Sequence, residues 1–206
     1  MKIGVLALQG DFAEHQVMLK SLGVDAVEVR LAEHLEGLNG LIIPGGESTT
    51  IGKLAEDFKL IEPLRQFGGA HAIWGTCAGA IFLSKDTHRT QPLLQLMDIT
   101  VERNAFGRQI NSFETDLDVP CLGFENGDRA GDHDGDHAGR HRVRPFHAVF
   151  IRAPLIEAVH GDTQVLSRLP DGRIVAAQQG RWLATSFHPE LTGDARFHRY
   201  FLELSK

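Results

Sequence analysis

The chain has little cysteine: two thiols in 206 residues, Cys77 and Cys121. Two thiols build no disulfide framework, so a reduced, cytoplasmic setting is expected. Positive charge is not in excess. Against 27 Asp and Glu stand 21 Lys and Arg, a formal net charge of −6, which argues against nucleic acid and anionic membranes as general partners. No apolar run approaches the ~20 residues of a membrane span. The run inside "MKIGVLALQGDF" is also too short for a secretory h-region. No internal repeat is visible. What is present is a 42% apolar fraction, enough for a sizeable core without disulfides or metal, at a length that suits one domain.

The first half alternates two kinds of segment. "IGVLALQG", "GLIIPGG" and "HAIWG" are continuous apolar runs closed by glycine, the pattern of strands buried on both faces. "DAVEVRL" alternates like a strand. Between them, "DFAEHQVMLKSLG" has Phe12, His15, Met18, Leu19 and Leu22 at helical spacing, with Asp11 as cap and Gly23 as stop. "STTIGKLAEDFKLIEPLRQF" reads as one helix capped by Ser48 or Thr49, and "AGAIFLSK" as another. Strand–helix alternation predicts βαβ units: an α/β fold with a mostly parallel sheet flanked by helices. Sites in such sheets gather beyond the carboxyl ends of the strands. Gln9-Gly10, Pro44-Gly45-Gly46 and Gly75-Thr76-Cys77 all fall there.

The second half is richer in strands: "MDITVERN", "INSFETDLDV", "HAVFIRAP", "TQVLSRL", "RIVAAQQ" and "WLATSFH". A last helix, "ARFHRYFLELSK", puts Phe197, Phe201 and Leu204 on one stripe. The segment 123–145 differs in kind, being mostly Gly, Asp, His and Arg. It has no face to bury and reads as a mobile surface loop inserted in a single domain of residues 1–206. His133, His137 and His141 recur there at regular spacing, so metal binding is the competing reading.

"GTCAG" is the stretch that carries chemistry. Gly-X-Cys-X-Gly between an apolar strand and a helix is the thiol form of a nucleophile elbow. Small neighbours let the chain bend sharply and let substrate approach, and a helix start favours the thiolate. The bland alternative is a small buried core cysteine. Cys121 has no such setting and reads as structural. His188, in "SFHPEL" at the end of an apolar strand, stands apart among the histidines as a base for Cys77. Glu190, two residues on, falls on the same side of an extended stretch and can orient the imidazole. The bland reading of His188 is a strand-end histidine facing water. "PGGESTT" offers backbone N–H groups at Gly45 and Gly46 for an oxyanion, with the amide of Ala78 as the second donor. Read alone it is a turn plus a helix cap. It lacks the lysine of a phosphate loop.

"GTCAGA" with "SFHPEL" resembles the class I, triad-type glutamine amidotransferases, whose fold is flavodoxin-like and three-layered. "LALQGDFAEH", "LIIPGGESTT", "VERNAFGRQINSFE", "VFIRAP" and "GRIVAAQQG" narrow the resemblance to the glutaminase subunits of pyridoxal 5′-phosphate synthase. The resemblance covers nearly the whole chain. It implies hydrolysis of L-glutamine to glutamate and ammonia, with Cys77 as nucleophile, His188 as proton shuttle and Glu190 as its orienter. It implies glutamine-binding roles for Gly46, Glu47, Ser48, Arg103, Ile151 and Arg152. It implies no cofactor in the glutaminase, and a (β/α)₈-barrel synthase partner in a multi-subunit complex that uses the ammonia to build pyridoxal phosphate. Free glutaminases of this family are poorly active, which places partner-coupled rearrangement at Gln9-Gly10. The long polar segment 123–145 departs from the family pattern. Two rival classes remain, another cysteine hydrolase on the same elbow and a non-catalytic regulatory subunit.

Overall fold

A computed structural model of the chain describes residues 1–103, 112–124 and 143–206. Four strands of the first half are β1 (Lys2–Leu6), β2 (Asp25–Val29), β3 (Gly40–Ile43) and β4 (Ala72–Thr76). Helices α1 (Phe12–Ser21), α2 (Ser48–Asp57), α3 (Ile61–Ala70) and α4 (Ala78–Leu83) alternate with them. Then come β5 (Ser84–Asp86), β6 (Met97–Glu102), β7 (Ser112–Leu117), β8 (Phe146–Ile151), β9 (Leu155–Val159), β10 (Gln164–Arg168), β11 (Ile174–Gln179) and β12 (Trp182–Thr185). Helix α5 (Arg196–Leu204) closes the order.

Among the described residues the main sheet runs β2-β1-β3-β4-β12-β11-β9-β6-β5, with β10 paired to the side of β11. From β2 to β12 every pairing is parallel. Beyond β12 the pairings turn antiparallel, apart from β5 with β6. Strands β7 and β8 form a separate antiparallel pair. The expected mostly parallel, helix-flanked sheet is thus present, with an antiparallel extension from the strand-rich half.

Alternation along the buried strands builds two cores. Leu41 and Ile43 of β3 face one core, with Ile51 of α2, Leu64 of α3 and Phe82 of α4. Ile42 faces the other, with Leu19 of α1 and Phe197 and Phe201 of α5. Ile73 and Trp74 of β4 divide in the same way. Successive side chains point to opposite faces, so a strand covered on both sides must be apolar throughout. Three layers result. Phe146 and Phe150 of β8 join the second core, which seats the β7–β8 pair against the sheet.

Several expectations need correction. The stretch read as one helix is two, α2 and α3, because Lys59 takes a left-handed φ of 56° between them. The cap of α2 is neither Ser48 nor Thr49 but Glu47, whose carboxylate accepts from the amides of Thr49 and Thr50. The helix after Cys77 stops at Leu83, and Ser84 and Lys85 enter β5. Asp11 stands at the start of α1 but makes no side-chain capping bond. Strand β9 was not anticipated. Of the polar segment 123–145, residues 125–142, with His133, His137 and His141, lie outside the described residues.

Candidate active site

The nucleophile candidate sits where strand β4 gives way to helix α4. Cys77 has φ 48° and ψ −108°, a backbone state an L-residue rarely holds. Such a state costs on the order of 1–3 kcal/mol and persists only where surroundings enforce it. Here they do. The Cys77 N–H bonds the Thr185 carbonyl of β12 at 2.8 Å, and its own carbonyl accepts from Ala80 at 3.1 Å. Gly75 and Gly79 flank the turn because the chain crosses itself closely. A Cβ on Gly79 would lie 2.0 Å from the Ile43 carbonyl oxygen.

His188 follows β12, the parallel neighbour of β4. Its Nδ1 lies 2.7 Å from Glu190 Oε1 and 3.4 Å from Asp11 Oδ2. Nδ1 being engaged, Nε2 is the nitrogen left for the Cys77 thiol, which lines the same cleft. Burial alone pushes His188 down, but the hydrogen bonds and charges of Cys77 and Glu190 outweigh it and raise it to about 10. The ring is therefore poised as an imidazolium. Burial raises Glu190 above the usual carboxylate range, against the opposing pull of His188. Burial also raises Asp11. The imidazole packs closely on Gly45, where a Cβ would come within 2.4 Å of its Cε1.

The three glycine-rich strand ends converge. The Asp11 N–H bonds the Gly45 carbonyl at 3.1 Å, and Gln9 Oε1 accepts from the Glu47 N–H at 2.7 Å. Gly10, at φ 104°, approaches so closely that a Cβ there would lie 1.7 Å from Gly45 O. A cleft of about 440 Å³ opens beside them, of the size small-molecule sites take. Cys77, Ala78 and His188 line it, as do Gln9, Gly10 and Gly46. Glu47, Ser48, Arg103, Ile151 and Arg152 line it too.

This part of the lining is strongly polar. Arg103 Nη2 lies 2.6 Å from Glu47 Oε1, and its Nη1 donates to Thr49 Oγ1 at 2.8 Å. Burial would raise Glu47, but the Thr50 hydroxyl, the Thr50 and Thr49 amides and Arg103 bring it to about 2. The buried Ser48 hydroxyl has no hydrogen-bond partner among the described residues. Arg152, at φ 44°, turns the chain at the end of β8, and the Ile151 carbonyl lies 4.0 Å from Cys77 Sγ.

Residues 5–206 match the SNO glutamine amidotransferase family. The chain belongs to that family. A relative in Herpetosiphon aurantiacus, named "Pyridoxal 5′-phosphate synthase subunit PdxT", is 55% identical over 209 residues, spanning 99% of this chain and 100% of the relative. A solved structure described as "Crystal structure of glutamine amidotransferase" aligns with a TM-score of 0.84 at 50% identity, over 98% of both chains. A putative GMP synthase subunit from Thermoplasma acidophilum aligns with a TM-score of 0.65 over 100% of this chain and 94% of that one. At 19% identity it shares the fold alone.

Every site residue named from the sequence of this amidotransferase lies at one cleft or directly behind it. Glu190 and Gly45 are the two behind, the first bonded to the imidazole and the second packed against it. The sequence did not point to Asp11, whose carboxylate faces His188 instead of capping α1. Nor did it point to His15 and His198, which lie fully buried beneath the triad. One signal was available: Asp11 and His15 are four residues apart at a helix start that follows a strand end, so they share a face. Burial pushes the Cys121 thiol up, in keeping with an unreactive role for the second cysteine.

Proposed function

We propose that this amidotransferase is the glutaminase subunit of a pyridoxal 5′-phosphate synthase, acting as a single glutaminase domain over residues 1–206. The observation that carries the reading is the strained elbow of Cys77 lining one charged cleft with His188, whose imidazole is held by Glu190. Cys77 attacks the side-chain amide carbon of L-glutamine as thiolate. The carbonyl oxygen becomes an oxyanion, taken by the N–H of Ala78 and by the Gly45–Gly46 backbone. His188 gives its proton to the departing nitrogen, ammonia leaves, and a thioester remains on Cys77. His188 then removes a proton from water as it attacks the thioester, and glutamate is released with the thiolate restored.

The charged part of the lining suits the zwitterionic end of an amino acid. Glu47 and Arg103 present opposite charges side by side, and Arg152 adds a second guanidinium. The unpartnered hydroxyl of Ser48 and the backbone of Gly46, Ile151 and Arg152 complete the set of contacts. The ammonia passes to a (β/α)₈-barrel synthase subunit in a multi-subunit cytoplasmic complex. No helix among the described residues is long and apolar enough to cross a membrane. The glutaminase itself needs no cofactor and no nucleic acid.

Gln9 and Gly10 hold the oxyanion loop through Glu47 N–H and Gly45, which makes them the coupling point to the partner. Ammonia release from glutamine, measured with and without the barrel subunit, tests both parts. The partner is expected to raise kcat more than it lowers KM, because oxyanion donors act on the transition state. Absence of ammonia under both conditions refutes the glutaminase. A pure KM effect refutes the coupling.

A further inference from the structure

The triad uses one oxygen of Glu190. Oε1 meets His188, while Oε2 is buried and makes no hydrogen bond of good geometry. A buried carboxylate oxygen without a donor is costly, by on the order of 1–3 kcal/mol or more for a charged group. The nitrogen in ion-pair range of it is His15 Nε2, 3.3 Å away, which also lies 3.2 Å from Thr76 Oγ1. His15 is fully buried on α1, and its other nitrogen, Nδ1, lies 3.0 Å from Nε2 of His198 on α5. Trp74 closes the nest, edge-on to both imidazoles at 5.7 and 4.9 Å.

The protons in this chain can be placed. Burial, and for His15 the neighbouring His198 and His188, push both imidazoles down, so each is neutral and carries one N–H. One proton must lie between His15 Nδ1 and His198 Nε2. His198 Nδ1 is buried with no partner among the described residues. A bare lone pair there is tolerable, whereas a buried orphan N–H is rarely found. His198 therefore carries its proton on Nε2 and donates it to His15 Nδ1. His15 must then carry its proton on Nε2, the side of Glu190 and Thr76.

We propose that His15 is a positioning residue of the triad: its Nε2–H supports the second oxygen of Glu190 from behind, and His198 fixes the tautomer that allows it. A carboxylate bonded at Oε1 and with the Nε2–H of His15 3.3 Å behind Oε2 keeps its orientation toward His188 Nδ1. Losing the rear donor leaves Oε2 buried with no N–H behind it, and Glu190 then takes up a proton or turns, so that His188 loses its acceptor. Neither His15 nor His198 lines the cleft, so substrate affinity is not directly affected. The inference rests on the glutaminase reading.

The test compares His15→Leu, which removes the donor, with His15→Gln, whose amide nitrogen can reach the place of Nε2. Glutaminase kinetics are measured on the full chain with its barrel partner. His15→Leu is expected to lose 10- to 100-fold in kcat at unchanged KM, as for other supporting residues. His15→Gln is expected to recover most of the loss. The alkaline limb of kcat/KM should move to lower pH in His15→Leu, because a disordered Glu190 no longer raises His188. The titratable groups facing His188 are Cys77, Glu190 and Asp11, with His15 behind Glu190. The pH dependence of Cys77 alkylation by iodoacetamide, followed on the Cys77 peptide, reports the same change without turnover. Equal kcat in Leu and Gln variants, or an unmoved alkylation profile, overturns the inference. Inactive wild type with a shifted alkylation profile would instead count against the glutaminase and leave the positioning role standing. Should His15→Leu not fold, His198→Phe carries the test, with a 3- to 10-fold lower kcat expected and a wild-type kcat overturning it.

Discussion

Cys77→Gly is expected to be inactive and more stable than Cys77→Ala. Both remove the sulfur, and both should lower glutamine hydrolysis by at least ~10³-fold, the scale of losing a nucleophile. They differ in backbone. At φ 48° and ψ −108° an alanine keeps the strain of the native residue, while glycine has no Cβ to clash. Relief of on the order of 1–3 kcal/mol is offset by the ~0.4–1 kcal/mol of extra chain entropy that glycine adds to the unfolded state. A surplus on the order of 1 kcal/mol should remain, read as a higher urea midpoint at unchanged m-value. A glycine variant less stable than the alanine variant would mean that the elbow stores no strain. Survival of more than a trace of ammonia release in either would remove Cys77 from the mechanism.

The second large effect is an acid response. His198 is fully buried, and burial brings it down to about 3 from an ordinary value near 6.5. The unfolded chain takes up a proton below pH 6.5 that the folded chain refuses. Its native contribution is thus complete above the unfolded value and is lost as pH falls toward 3. The slope is about 1.4 kcal/mol per pH unit for one such group. Glu190 and Asp11, raised by burial, respond in the opposite sense, so the raw acid profile mixes several groups. The difference between wild type and His198→Phe isolates one. Phenylalanine keeps an aromatic ring beside Trp74 and cannot titrate. The variant should gain on wild type by roughly 2–3 kcal/mol between pH 6.5 and 4.5, measured by urea unfolding at each pH. Parallel pH profiles would show that His198 is already protonated in the native state.

The parts of the fold legible beforehand were those whose burial is total. "IGVLAL", "GLII" and "HAIW" announce strands covered on both faces, and each became one. Boundaries set by a single residue were not legible. Apolar spacing continues through Phe58, Leu60 and Ile61, so the break that Lys59 makes between α2 and α3 leaves no mark in the pattern. Glutamate is seldom a helix cap, which is why Ser48 and Thr49 drew attention from Glu47. At the site, Cys77 and His188 stood out because glycine and proline punctuate strand ends. His15 and His198 did not, because each lies in a helix where exposure is the ordinary state of histidine. Only the packing of α1 and α5 onto one face of β4 removes them from water, and that is a long-range fact.

The thiol and the imidazole stand on neighbouring strands. Thr76 and Thr185 are register partners, and the Cys77 amide extends the same ladder by one rung to Thr185. His188 is tied by its own N–H to Val149 of β8, the strand that carries Ile151 to the cleft. The strand ends that carry the two residues are thus held side by side by the sheet ladder, at the interstrand repeat of ~4.8 Å. Warming should therefore leave their separation almost unchanged until the sheet gives way as a whole. Heat inactivation and loss of the far-ultraviolet strand signal would then fall on one curve, with no range of temperature in which the enzyme is folded but idle.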